Sequence, residues 1–191
     1  QKARTRTDRS WVGGASVLGQ YGVTGMDLHT IDRTLEAKKS WFMFDDEIVA
    51  LGAGITSTDG IGTETIVENR KLNAAGDNAL TVDGATEPAT LGWSDTLAGV
   101  DRVHLAGSVA GSDIGYYFPG GATVSGLREQ RTGNWKQLNS SSQWGNSTPI
   151  TRNYLSLSLD HGSNPTDGAY SYVLLPNKTS AQVDSYASNP D

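Results

Sequence analysis

Three histidines, one acidic run and five tryptophans are the residues of this chain whose types and spacing could do chemistry. His161 ends a strongly alternating segment, between Asp160 and Gly162, where a histidine could serve as a general base. No nucleophile or second catalytic group accompanies it, so the preferred reading is structural. It is expected to be largely buried and hydrogen-bonded to backbone or a neighbouring side chain where a strand ends. His104 alternates inside another strand and His29 lies beside a glycine-rich segment, and neither belongs to a motif. Asp45-Asp46-Glu47 clusters carboxylates as a calcium site would, but without the spacing of a known cation loop. A solvated hairpin tip is the expectation there.

The tryptophans are Trp11, Trp41, Trp93, Trp135 and Trp144. An exposed ring is a platform for sugars, because the apolar face of a sugar stacks on it. Trp41 stands among Phe42, Met43 and Phe44 and reads as core. Trp135 and Trp144 lie in the polar stretch Thr132 to Thr148 and are the candidate substrate-binding residues, although packing against a sheet edge is the preferred role for each. No catalytic residue, no metal ligand and no cofactor motif is assigned.

Composition narrows the classes further. The chain has 191 residues, enough for one domain with a substantial core. It contains no cysteine, which excludes disulfides, thiolate metal sites and a cysteine nucleophile. The net charge is −6, and seven of the fifteen basic residues precede residue 40, so the remainder is more acidic still. Such a domain does not attract a polyanion by its overall field, and nucleic acid is not an expected partner. No apolar run is long enough to cross a membrane as a helix. The start, Gln1-Lys2-Ala3-Arg4, is followed by no apolar stretch and reads as a cut inside a longer protein rather than a signal peptide. Three Asn-X-Ser/Thr sequons, at Asn139, Asn146 and Asn177, are treated as incidental.

The elements that must position these residues are strands. Trp41 to Phe44, the acidic turn and Ile48 to Leu51 form a hairpin pattern, with Trp41, Phe42, Phe44, Ile48, Val49 and Leu51 expected to be a buried central block. Glycines punctuate Trp11 to Leu28 into short extended pieces leading to a strand near Thr34 to Lys38. Further strands are expected at Thr63 to Arg70, Ala79 to Val82 before an Asp83-Gly84 turn, and Arg102 to Ala106. Ile114 to Phe118 is expected to stop at Pro119-Gly120-Gly121, before a separate strand over Ala122 to Gln130. Asn153 to His161 has period two, with Leu155, Leu157 and Leu159 on the buried face, and is expected to pair antiparallel with Ala169 to Leu175. A single short helix is expected near Ser180 to Tyr186, capped by Ser180. About ten short strands divided by turns argue for packed antiparallel sheets with little helix.

Four blocks, in order, also resemble the central β-domain of polysaccharide lyase family 8, the family of hyaluronate, chondroitin AC and xanthan lyases. They are Lys39-Ser40-Trp41-Phe42-Met43-Phe44 with Ile48-Val49-Ala50-Leu51-Gly52 and Thr65-Ile66-Val67-Glu68-Asn69-Arg70; Asp113 to Phe118; Gly133-Asn134-Trp135-Lys136-Gln137-Leu138-Asn139; and Leu159-Asp160-His161-Gly162 with Tyr170 to Asn177. The resemblance runs from about Lys38 to Asn177. It implies an all-β, many-stranded antiparallel super-sandwich of the galactose-mutarotase-like kind. It implies that residues 1–191 are one β-sandwich domain of a larger lyase, without the N-terminal α/α-toroid catalytic domain and the C-terminal β-domain.

In that family an Asn, a His and a Tyr on the toroid carry β-elimination, and no matching constellation is found here. The function implied is support of the catalytic domain and part of the substrate cleft in a secreted, extracellular bacterial enzyme. Its partners would be an acidic polysaccharide and the rest of the lyase chain, with no nucleic acid and no membrane. Hyaluronan and chondroitin are the expected polymers, with xanthan behind them. The rival reading is a stand-alone, non-catalytic carbohydrate-binding β-sandwich, and a third is a purely structural interdomain module.

Overall fold

The computed structural model describes residues 7–139 and 145–190. Its strands are β1 (Val12–Val17), β2 (Tyr21–His29), β3 (Glu36–Met43), β4 (Ile48–Thr56), β5 (Glu64–Lys71), β6 (Leu80–Val82), β7 (Ala85–Thr86), β8 (Ser94–Leu105), β9 (Ile114–Gly133), β10 (Ile150–Asp160) and β11 (Gly168–Pro176). Two helices, α1 (Trp135–Leu138) and α2 (Ser180–Ser188), complete the described elements. The fold class is therefore the expected one: antiparallel strands throughout and little helix. The strands follow the order β1-β2-β3-β4-β11-β9-β8-β6-β7, with β10 joining β9 to β5 off that path.

One strand turns this single ladder into two layers. Pro119-Gly120-Gly121 does not end the strand before it; β9 continues through these residues for 20 residues in all. Gly120 and Gly121 adopt φ of 78° and 80°, and the register with β8 shifts between Leu97 and Arg102 on the facing strand. Glycine reaches positive φ without a steric penalty, so the chain bends and the ladder resumes beyond the bend. The first part of β9, Ile114 to Tyr117, pairs with β11, and the later part, Ser125 to Gly133, pairs with β10. Strands β8 and β9 thus pass from one layer into the other, the way corners of β-sandwiches are made. Leu80, Val100, Val103, Leu105, Tyr116, Phe118, Val124, Leu155 and Leu157 fill the space between the layers.

Leu155, Leu157 and Leu159 are buried, as their alternation predicts. The expected partnership of Asn153–His161 with Ala169–Leu175 is not found. β10 pairs with β5 and β9, and β11 pairs with β4 and β9. The loop between them crosses from one layer to the other, which is why it exceeds the length of a hairpin turn. Both faces of β11 are covered: Tyr172 packs in the sandwich core, while Val173 and Leu175 pack under Val183 of α2. Helix α2 is capped by Thr179, not Ser180, in a reciprocal capping box with Gln182. The single-helix expectation missed α1, which is one turn long and buries none of its residues.

The β3–β4 hairpin forms in the expected register, Met43 opposite Ile48 and Trp41 opposite Ala50. Its side chains are less buried than expected: Trp41 is half-buried against the core, while Phe44 is 45% and Leu51 36% exposed. The hairpin lies toward the β1 edge, and no residue of β1 or β2 enters the core cluster. Among the described residues, the opposing layer does not extend over this end of the sheet. Asp83-Gly84 is the two-residue turn expected of it, with φ of 49° and 83° joining β6 to β7.

Candidate functional site

Trp135, one of the two residues singled out as sugar-facing, is 58% exposed and lies on the wall of a groove of about 410 Å³. Trp144 lies outside the described residues. The local sequence explains why the indole stands free. β9 ends at Gly133, Asn134 caps the next turn through Gln137, and Trp135 is the first residue of α1. The Asn134 side chain accepts from the Gln137 backbone N–H at 3.1 Å, and Gln137 Oε1 accepts from the Asn134 N–H at 2.8 Å. This box fixes the turn while leaving the ring outside the sandwich.

The groove also holds Asn69, Arg131, Arg152 and Tyr154, none of which was singled out in the sequence. Cross-strand register brings them together: Arg131 faces Arg152, and Tyr154 faces Glu129 on one side and Lys71 on the other. Arg131 is held by three side-chain partners and one ring. It donates to Glu129 Oε1 at 2.7 Å, to Asn69 Oδ1 at 2.7 Å and to Ser156 Oγ at 2.9 Å, and its guanidinium carbon lies 4.6 Å from the centre of the Tyr154 ring.

Arg152 is exposed, donates to the backbone oxygen of Thr151 at 2.7 Å, and makes no ion pair with any described residue. Opposed like charges disfavour each other across a sheet. Glu129 offsets one of them, and the second remains for an incoming anion. A free guanidinium beside an exposed indole and the amide groups of Asn69 and Gln137 is a combination suited to a sugar bearing a carboxylate. The outward positions of the alternating pattern Tyr154, Ser156, Ser158 were the sequence signal for this face. What the pattern could not show was which strand lies beside it.

The histidines are dispersed, each with its own partner. His161 is half-buried rather than largely buried: its Nε2 lies 2.9 Å from Thr65 Oγ1, its backbone N–H donates to Thr63, and burial pulls its pKa below the ordinary histidine value. It follows β10 and sits at the mouth of the interlayer loop, so one edge of the ring remains open. His104 is buried with Nε2 3.1 Å from Asp113 Oδ2, and His29 pairs with Asp8.

The acidic run is a hairpin tip fastened to the α2 region, where Asp46 accepts from Lys178 and Glu47 from the Tyr186 hydroxyl. No group of three or more His, Asp or Glu able to hold a metal occurs among the described residues. Trp11 is 60% exposed, while Trp41 and Trp93 pack half-buried against the core.

A family model described as polysaccharide lyase family 8, super-sandwich domain, matches residues 1–187. A xanthan lyase of Bacillus sp. (strain GL1) is 62% identical over 175 residues, which cover 91% of this chain and 19% of that protein. A hyaluronate lyase of Thermasporomyces composti is 38% identical over 170 residues, covering 89% of this chain and 21% of its own. Among solved structures, Paenibacillus xanthan lyase superposes with a TM-score of 0.97 at 67% identity, over 100% of this chain and 18% of that one. A Streptomyces coelicolor chondroitin AC lyase in complex with chondroitin sulphate gives a TM-score of 0.70 at 37% identity, over 94% of this chain and 21% of that one. The chain thus spans about a fifth of the length of the relatives it matches.

Proposed function

Because this chain belongs to polysaccharide lyase family 8, as its super-sandwich domain, we propose that it is the central β-domain of a secreted bacterial enzyme that cleaves an acidic polysaccharide by β-elimination. Such a reaction needs a group that neutralises the uronate carboxylate, a base for the C5 proton and an acid for the leaving oxygen. The described histidines are dispersed, and the family resemblance implies that these roles belong to a helical domain of the parent enzyme. This domain supports that one and supplies part of the cleft wall. An extracellular location fits such a substrate, since an intact polysaccharide does not cross the cell membrane.

The observation that carries this reading is the 62% identity to a xanthan lyase across 91% of the chain, against 38% to a hyaluronate lyase. It moves xanthan ahead of hyaluronan and chondroitin as the proposed polymer. On this reading the Trp135–Arg152 groove is the part of the wall that meets a sugar carboxylate. The test is a domain exchange in which this chain replaces the matching segment of the Bacillus sp. xanthan lyase. Release of unsaturated product from xanthan, followed by ultraviolet absorbance, is expected at a rate within tenfold of the parent. A folded chimera that cleaves hyaluronan or chondroitin in preference to xanthan would refute the assignment of polymer.

A further inference from the structure

The outer face of β5, β10, β9 and β8 is ordered in rows, and the rows change chemistry along the strands. Register places Thr96, Ser125, Ser158 and Ile66 side by side, and Ser94, Leu127, Ser156 and Asn69 in the next row. Glu129, Tyr154 and Lys71 follow, and then Arg131 with Arg152. Successive rows are two residues apart, about 7 Å along a strand. The hydroxyl rows form a depression of about 680 Å³ that shares Asn69 and Arg131 with the Trp135 groove, so the two hollows form one trough. The depression exists because serines stand between longer side chains on either side.

We propose that the hydroxyl rows are a separate subsite for neutral sugars, adjoining the acidic-sugar end at Trp135 and Arg152. Three features point the same way. The floor is apolar at Leu127, 36% exposed, and Ile66, 48% exposed, giving sugar C–H faces something to lie on. Around them stand Ser94, Thr96, Ser125, Ser156 and Ser158, short hydroxyls that donate and accept as sugar hydroxyls do.

The charge is wrong for a polyanion: Glu64, Asp95 and Glu129 line the hollow, and its one cation, Arg131, is spent on Glu129, Asn69 and Ser156. A uniformly charged polymer would set a carboxylate against these acids at every repeat. A polymer with a run of neutral hexoses next to an acidic residue fits both ends at once. This inference rests on the reading of the Trp135 end as an acidic-sugar site and specifies the architecture of the polymer that the face accepts.

The experiment is an amide NMR titration of this chain with cellohexaose as the neutral probe and a hyaluronan hexasaccharide, which carries a carboxylate in every disaccharide repeat, as the acidic one. Cellohexaose should shift the amides of Ser125, Leu127, Ser156 and Ser158. The variant Leu127→Glu should weaken that binding at least tenfold, and Trp135→Ala should leave it within twofold. The hyaluronan fragment should perturb Trp135 and the Arg152 region and leave the hydroxyl rows unmoved. No cellohexaose shift in the wild-type chain, or hyaluronan shifts centred on Ser125 and Ser158, would overturn the neutral subsite. Absence of any acidic-sugar effect at Trp135, with cellohexaose still bound at Leu127, would overturn the acidic end and leave the neutral subsite standing.

Discussion

The hydroxyl of Tyr116, a fully buried residue of β9, donates to the carboxylate of Glu68 on β5. A β-bulge makes the contact possible. Leu157 pairs with Glu68 and Ser158 with Ile66, so Val67 is the extra residue and Glu68 turns inward behind it. Arg70 Nε donates to the same carboxylate oxygen at 3.0 Å. Burial, reinforced by the negative charge of Glu68, pushes the Tyr116 hydroxyl above the ordinary phenol range, which favours its role as a donor.

Removing that donor should be felt in stability. Tyr116→Phe leaves the Glu68 carboxylate, 14% exposed at its side chain, with Arg70 Nε and the Asn69 backbone N–H as its remaining donors. The expected loss is about 1–3 kcal/mol, the usual range for an inner hydrogen bond to a charged group. Urea denaturation of the two proteins measures it. Glu68→Leu combined with Tyr116→Phe should lose less than the sum of the single changes, because the pair acts as a unit.

Among the described residues Arg128 is the largest fully buried side chain, and none of their carboxylates forms an ion pair with it. It donates to the Gly76 oxygen at 2.6 Å and to the Asn78 oxygen at 2.9 Å, and its Nε is unpaired. Desolvation lowers its pKa, yet a guanidinium stays charged. Arg128→Met should free both carbonyls at about 1–3 kcal/mol each, offset in part by relief of the buried charge. Hydrogen exchange at residues 72–79 should accelerate before global stability is lost.

His161 gives a pH dependence with a definite sign. Its folded pKa lies below the ordinary value of 6.5, because burial disfavours the charged ring more than Asp160 favours it. The unfolded chain therefore binds this proton at a higher pH than the folded one. Stability contributed by the neutral ring is present above about pH 6.5 and is lost as the pH falls toward the folded pKa. Melting temperatures of the wild type and His161→Gln, scanned across that window, should diverge at neutral pH and converge below it.

Trp135 and Trp41 should separate binding from stability. Trp135→Ala removes a ring 58% exposed, and its stability should change by less than about 0.5 kcal/mol. Its affinity for acidic oligosaccharide should fall. Trp41→Ala should do the reverse, with a loss near or below the ~3 kcal/mol lower bound for a fully buried ring, because the structure leaves this one half-buried. Denaturation and tryptophan-fluorescence titration on the same samples check both.

The chain by itself should not turn over xanthan, hyaluronan or chondroitin. Ultraviolet absorbance of the unsaturated product is the measurement, and turnover abolished by His161→Ala would contradict the assignment of the chemistry to another domain.

The sequence by itself located most of the strands, though not the run of β9 through Pro119-Gly120-Gly121, because side-chain alternation and turn residues are local. The period of two in Asn153–His161 placed Leu155, Leu157 and Leu159 inside, and Asp83-Gly84 placed a hairpin where one stands. Four ordered motifs determined the family, since matches in sequence order are specific in a way single ones are not. Beyond the tight hairpins, only the tertiary structure decided which strands are neighbours. β10 and β11 look like partners along the chain, yet the bend at Gly120-Gly121 gives each a different stretch of β9, and no local pattern encodes that choice.

The same cause hid most of the site. Trp135 was legible because a polar segment around an aromatic is a local feature. Asn69, Arg131, Arg152 and Tyr154 were not, because they come from three strands far apart in sequence and become a site only through register. Burial was decided last of all: the apolar block at Trp41 to Leu51 reads as core, but Phe44 and Leu51 stay exposed because the opposing layer does not reach over them.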